Sequence, residues 1–91
     1  MNIDQWPFRQ RIIDAGEGNP GAIAAICAVA THAAADEKEF TIFLDRLEEK
    51  GLRGERIWRA FKSAEKNPYT FFIKVWAVDY RFDCQPEKSD G

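Results

Sequence analysis

The stretch Asn19-Pro20-Gly21-Ala22-Ile23-Ala24-Ala25-Ile26-Cys27-Ala28-Val29-Ala30 decides the fold. Asn suits an N-cap, Pro suits the first helical position, and an apolar run follows, which together mark a helix start. Ile23, Ile26, Cys27 and Ala30 recur at i, i+3, i+4 and i+7, while Ala22, Ala24, Ala25, Ala28 and Val29 cover most of the remaining surface. A helix apolar nearly all round is buried on several sides. Its many alanines let neighbouring helices approach closely. The spacing predicts a central helix from Pro20 to about Ala34.

Working outward, four more helical segments fit the punctuation. The first is expected from Asp4 to Ala15, capped by Asp4, with Pro7 in its first turn. It carries Trp6, Phe8, Ile12 and Ile13 and is ended by Gly16-Glu17-Gly18. Asp36 and Glu39 form a capping-box pair for a third helix with the stripe Phe40, Phe43, Leu44 and Leu47. Gly51 stops it, with Leu52 placed for the hydrophobic contact of a Schellman end. A fourth helix, from about Gly54 to Lys66, turns Ile57, Ala60, Phe61 and Ala64 to the core. Asn67-Pro68 then repeats the Asn-Pro opening. Tyr69 to Phe82 has strand propensity, but no partner strand exists elsewhere, so it reads as a fifth helix. Short connections make adjacent helices pack together. The expected fold is all-α, a compact bundle of about five short helices over residues 1–82, with a disordered polar tail over 83–91.

Composition narrows the function classes. With 91 residues the chain has room for one domain. A hydrophobic share of 45% and an aromatic share of 13% supply a core and aromatics to spare for an oligomer interface. A net charge of −2 gives no whole-chain footprint for nucleic acid. No apolar run is long enough for a membrane span, and the N-terminus lacks the regions of a signal peptide. Cys27 and Cys84 read as reduced thiols of a cytoplasmic protein, with a disulfide between them as the alternative. His32, the single histidine, reads as a helix-end residue. With no zinc spacing and no Ser-His-Asp order, the expectation is a non-enzyme without cofactor or metal.

Two segments could hold a ligand. In Gly18-Asn19-Pro20-Gly21-Ala22, the Asn19 side chain and the N–H groups of the first turn are suited to a phosphate. The same residues also read as a well-capped helix start with Gly21 kept small for packing. The second segment is the basic row Arg53, Arg56, Arg59, Lys62 and Lys66, with Trp58 at its edge. Five basic groups oppose Glu55 and Glu65 there, a local charge of +3, whereas residues 36–49 set six acidic groups against Lys38 and Arg46, a local charge of −4. Arginine forks suit phosphate and an indole can stack on a base. Alternatively the row salt-bridges the acidic face of the third helix, or of a second copy. The candidate ligand-binding residues are Asn19, Gly21, Ala22, Arg53, Arg56, Trp58 and Arg59. Trp6 and Trp58 have further readings as core rim or dimer contact, and Trp76 as core.

Gly18-Asn19-Pro20-Gly21-Ala22, followed by the phenylalanine/leucine helix, Glu49-Lys50-Gly51-Leu52-Arg53-Gly54 and Ile57-Trp58, resembles a family of short phage- and prophage-encoded proteins. These carry an early G-N-P-G-A and a later N/K-G-I-x-G turn before an apolar-aromatic pair. The similarity spans roughly residues 16 to 62, with Leu52 in place of Ile. It implies a protein of the bacterial host cytosol that counters host defence. Such a protein either sequesters an anionic nucleotide-like signal or, alternatively, binds a host protein. A homo-oligomer is expected. DNA binding through the fourth helix fits the arginines but not the acidic balance.

Overall fold

A computed structural model describes residues 8–82. Five helices follow one another: α1 Arg9–Gly16, α2 Pro20–His32, α3 Glu37–Glu49, α4 Glu55–Ser63 and α5 Pro68–Trp76. No strand occurs among the described residues. α2 packs against α1, α4 and α5, and α3 packs against α5. The fold is therefore the expected all-α bundle with α2 at its centre. Asp4, Trp6, Pro7, Cys84 and the tail over 83–91 lie outside the described residues.

Capping residues set the starts. Asn19 Oδ1 accepts from the Ala22 N–H at 3.0 Å, Asp36 Oδ1 from the Glu39 N–H at 2.9 Å, and Asn67 Oδ1 from the Thr70 N–H at 3.0 Å. Glu39 also reaches back, its Oε1 accepting from the Ala35 N–H at 2.9 Å. This return bond ends on Ala35 rather than on the capping residue itself. α3 ends as its sequence predicts. Leu52 N–H donates to Leu47 O at 2.9 Å across Gly51, which sits at φ 71°, and the Leu52 side chain is buried.

The core is aromatic and aliphatic. Phe40, Phe43 and Phe71 are fully buried, each contributing roughly 1.5–3 kcal/mol. They join in a chain of ring contacts, Phe40 to Phe43 at 5.8 Å and Phe43 to Phe71 at 5.7 Å. The stripes expected on α3 and α4 are the buried ones. On α2 the stripe is displaced. Ala22, Ala25, Ile26, Val29 and Ala30 are buried, whereas Ile23 and Cys27 are only partly covered. Where every face is apolar, hydrophobic periodicity cannot choose among faces, and the small residues turn toward the closest neighbours.

Three helix ends differ from expectation. α2 stops at His32, which is exposed in its last turn. α4 spans Glu55–Ser63 rather than running from Gly54 to Lys66. Gly54 is its N-cap, and Glu65 and Lys66 adopt left-handed φ of 61° and 54°. The bond from Lys66 N–H to Phe61 O, 2.9 Å, closes a Schellman-like end with glutamate where glycine is usual. α5 stops at Trp76 instead of continuing to Phe82. Ala77 is extended, and the chain turns so that Phe82 packs on Phe71 at 5.8 Å and on Tyr80 at 5.0 Å. Phe82 is buried although it lies beyond the helix, and Val78 is 68% exposed. Trp76 lies at the core's edge against Phe72, with ring centroids 5.3 Å apart.

Candidate functional site

The fold brings the two sequence segments together. The turn between α1 and α2 meets the turn between α3 and α4, which are more than thirty residues apart in the chain. Gly54 N–H donates to Ala15 O at 2.8 Å. Arg53 Nε donates to Glu17 Oε2 at 2.9 Å, and Arg53 Nη2 reaches Asp14 O at 3.4 Å. One turn further on, Trp58 lies against Gly21. A methyl group built on Gly21 would fall 2.8 Å from Trp58 Cδ2, so only glycine admits the indole at this distance.

Most polar groups at this junction already have protein partners. The Ala22 N–H is taken by Asn19, and the Ile23 N–H bonds Asn19 O at 3.0 Å. Pro20 has no N–H to offer. Arg53 is tied to Glu17, Arg56 Nη1 donates to Gly51 O at 3.2 Å, and Arg59 pairs with Glu55 at 3.3 Å. Asn19, Ala22, Arg53 and Arg56 thus build the turns. Gly21 serves as the seat of Trp58.

The basic row divides along its length. Arg53 precedes α4 and Lys66 follows it, so Arg56, Arg59 and Lys62 alone are helical. Lys62 and Lys66 converge on the half-buried Trp58 ring, each Nζ 5.5 Å from its centroid. Neither lysine forms an ion pair among the described residues. No ion pair there joins α4 to α3 either. The α3 carboxylates Asp45 and Glu48 instead accept from Arg11 of α1, at 2.6 and 3.3 Å, and these bonds raise the Arg11 guanidinium above its ordinary value. The alternative in which the basic row neutralises α3 within one chain is therefore corrected: the acidic face of α3 is served by α1.

Trp58 and Lys62, four residues apart, are neighbours on a helix by spacing alone, so this part of the patch was legible. Lys66 stands in the same basic row, but there it reads as a helical residue, whereas it reaches the ring through the left-handed turn after α4. Glu17 and Lys50 were also missed. Lys50 Nζ donates to Ala77 O and Tyr80 O, both at 2.7 Å, and closes the end of α5. Burial, followed by the nearby charges of Arg81 and Arg46, lowers its pKa. Cys27 is a half-buried free thiol that burial pushes up.

Among the described residues no group of His, Cys, Asp or Glu is placed to hold a metal ion, and no helix is long and apolar enough to cross a membrane. Fold and surface define a small helical bundle with a cationic, tryptophan-centred patch on α4. Comparison with known protein families, curated proteins and solved structures finds no match. None of these comparisons supports the resemblance to short phage proteins.

Proposed function

We propose that this chain is a non-catalytic binding protein that captures an anionic, nucleotide-like ligand on the exposed face of α4. One observation carries the reading: Trp58 is held against Gly21 while Lys62 and Lys66 lie over its ring with no carboxylate partner among the described residues. An indole braced on Gly21 offers a stacking face to a base once the two flexible lysines now over the ring swing their ammonium groups onto the phosphate. Arg59 follows Trp58 in the chain and pairs, among the described residues, with exposed Glu55, a weak surface contact that a ligand can replace. Relative to the residues first singled out, the site is centred on Trp58, Lys62 and Lys66, with Arg59 beside them. Gly21 seats the ring, while Asn19, Ala22, Arg53 and Arg56 belong to the neighbouring turns. The resemblance to phage proteins gives this capture a purpose, the sequestration of a nucleotide signal made by a host defence system.

The test is thermal shift of the full chain against cyclic and linear nucleotides, with mass spectrometry of small molecules released on denaturation. A binding nucleotide should stabilise the fold by about 2.7 kcal/mol at a hundredfold excess over Kd. Trp58→Ala and the double variant Lys62→Gln/Lys66→Gln should abolish the effect. Silence across the panel at high micromolar concentration overturns the reading.

A second reading, an interaction module that binds a host protein, is supported by a different surface. Tyr69 and Ile73, one turn apart on α5, are 59% and 47% exposed, and Val78 follows just beyond the helix. A pull-down from host lysate that is lost on Ile73→Lys, with nucleotides inert, favours this reading. Duplex DNA has weaker support, because Arg53 and Arg59 already have carboxylate partners.

A further inference from the structure

A second surface feature borders the Lys50–Gly54 connection. α1, α3 and that connection enclose a cleft of about 240 Å³. Leu44, Leu47 and Leu52 form its floor, with Ala15 beside them. All three leucines are nearly buried, at 2%, 1% and 4% exposure, so the floor is apolar and firmly packed. The rim carries charges of both signs: Arg11 and Arg53, Asp14 and Glu48.

These rim groups retain hydrogen-bonding capacity. Arg53 uses Nε on Glu17, and its Nη2 contact at 3.4 Å is long, which leaves the fork able to take a carboxylate. Glu48 gives Arg11 only one oxygen, at 3.3 Å. Asp14 accepts one bond through Oδ1, from Gln10 Nε2 at 3.0 Å. The rim itself offers two guanidinium groups and two carboxylates, and Asp45 and Glu17 hold the guanidinium groups from outside it, so a ligand meets groups of both signs. The volume is below the ~300–1,000 Å³ typical of pockets for drug-sized ligands. A nucleotide is too large for it, whereas a compact metabolite fits.

We propose that this cleft binds a small zwitterion with an apolar body, of the leucine or methionine class of free amino acids. The ligand's carboxylate lies on the Arg53 fork, its ammonium between Glu48 and Asp14, and its side chain over Leu44, Leu47 and Leu52. Such a ligand matches both signs of the rim and covers the apolar floor together. The site is separate from the Trp58 patch and does not depend on nucleotide capture.

The experiment is a titration of the full chain, methyl-labelled at leucine, isoleucine and valine, with L-leucine, followed by the methyl signals of Leu44, Leu47 and Leu52, the only leucines of the chain, against those of the other residues. Two analogues accompany it: 4-methylpentanoate, which lacks the ammonium, and 3-methylbutylamine, which lacks the carboxylate. Saturable shifts confined to these methyls are expected with L-leucine. Each analogue, and each of Arg53→Gln and Glu48→Gln, should weaken binding by about tenfold or more, as expected for losing one charge-assisted contact. Both side chains are exposed and their ion pairs are weak, so both variants should fold. Equal binding of either analogue overturns the zwitterion assignment. Unmoved leucine methyls at millimolar ligand overturn the site. Since the nucleotide test reads Trp58, either proposal can fail without the other.

Discussion

Glu65 sits where a glycine would be expected. Its φ of 61° closes the end of α4, its side chain is exposed, and it forms no ion pair among the described residues. A left-handed conformation costs a side-chain-bearing residue roughly 1–2 kcal/mol, and glycine returns about 0.5–1 kcal/mol of that as extra unfolded-state entropy. Glu65→Gly should therefore stabilise the fold by about 0.5–1 kcal/mol, visible as a higher denaturation midpoint at unchanged m-value. Glu17, at φ 51°, is in a different position because it holds Arg53. The glycine beside it, Gly16, is committed to packing, since a methyl there would fall 2.6 Å from Ile23 Cγ1. The two glycines of the α3–α4 connection differ as well. A methyl on Gly51, at φ 71°, would meet only the Arg56 Nη1 at 3.9 Å, an ordinary contact, so Gly51→Ala should cost about 1 kcal/mol from its backbone alone. Gly54 combines φ 54° with ψ −130°, and a methyl there also meets the Glu17 carboxylate at 2.8 Å. Gly54→Ala should cost more, about 1–3 kcal/mol, from backbone strain together with a displaced Glu17. Equal losses for the two variants in denaturant titrations would remove the distinction.

Among the elements, the two Asn-Pro openings allow a matched comparison. Asn19 and Asn67 make the same 3.0 Å cap bond, but Asn19 opens the central helix at the junction of two turns while Asn67 is exposed. Each substitution to alanine should cost about 1 kcal/mol, within the range of 0.5–2, with Asn19→Ala the larger loss because its environment is less wet. Equal or reversed losses would show that tertiary setting does not modulate the cap. These starts were legible because a cap is written in a few consecutive residues, and so was the stripe of α3, whose polar and apolar faces are distinct. The register of α2 was not, because alanine, isoleucine and valine surround the whole helix. The ends of α4 and α5 were hidden for another reason. Glu65 and Lys66 give no turn signal, and α5 stops where Lys50, more than twenty residues earlier, takes the Ala77 and Tyr80 carbonyls. Likewise the candidate site was half legible. Trp58 and the basic row stand out in the sequence, while the seat on Gly21 and the diversion of Arg53 to Glu17 depend on how two distant turns meet.

At the scale of the whole molecule, the short connection after α3 is the point through which both halves are joined. Lys50 reaches forward to the loop after α5, while Arg53 and Gly54 reach back to the end of α1. These ties differ in exposure. The Arg53–Glu17 pair is about half exposed on both sides, so Arg53→Ala should cost no more than about 1 kcal/mol. Lys50 is partly buried, and Lys50→Met keeps much of its packing while leaving the Ala77 and Tyr80 carbonyls without their donor, a loss of about 1–3 kcal/mol. The effect should also be local. Residues 77–82 hold Phe82 on Phe71, and freeing that loop should accelerate amide exchange there before it does so in α2 or α3. Hydrogen exchange on Lys50→Met separates the cases: faster exchange confined to the last loop identifies Lys50 as the lock on α5, whereas uniform acceleration would mean that it supports the global fold alone. The lowered pKa of Lys50 adds a sign. Folding disfavours its charged form, so this residue's titration makes stability rise with pH between its lowered folded value and the ordinary lysine value of 10.5, and that rise should vanish in Lys50→Met.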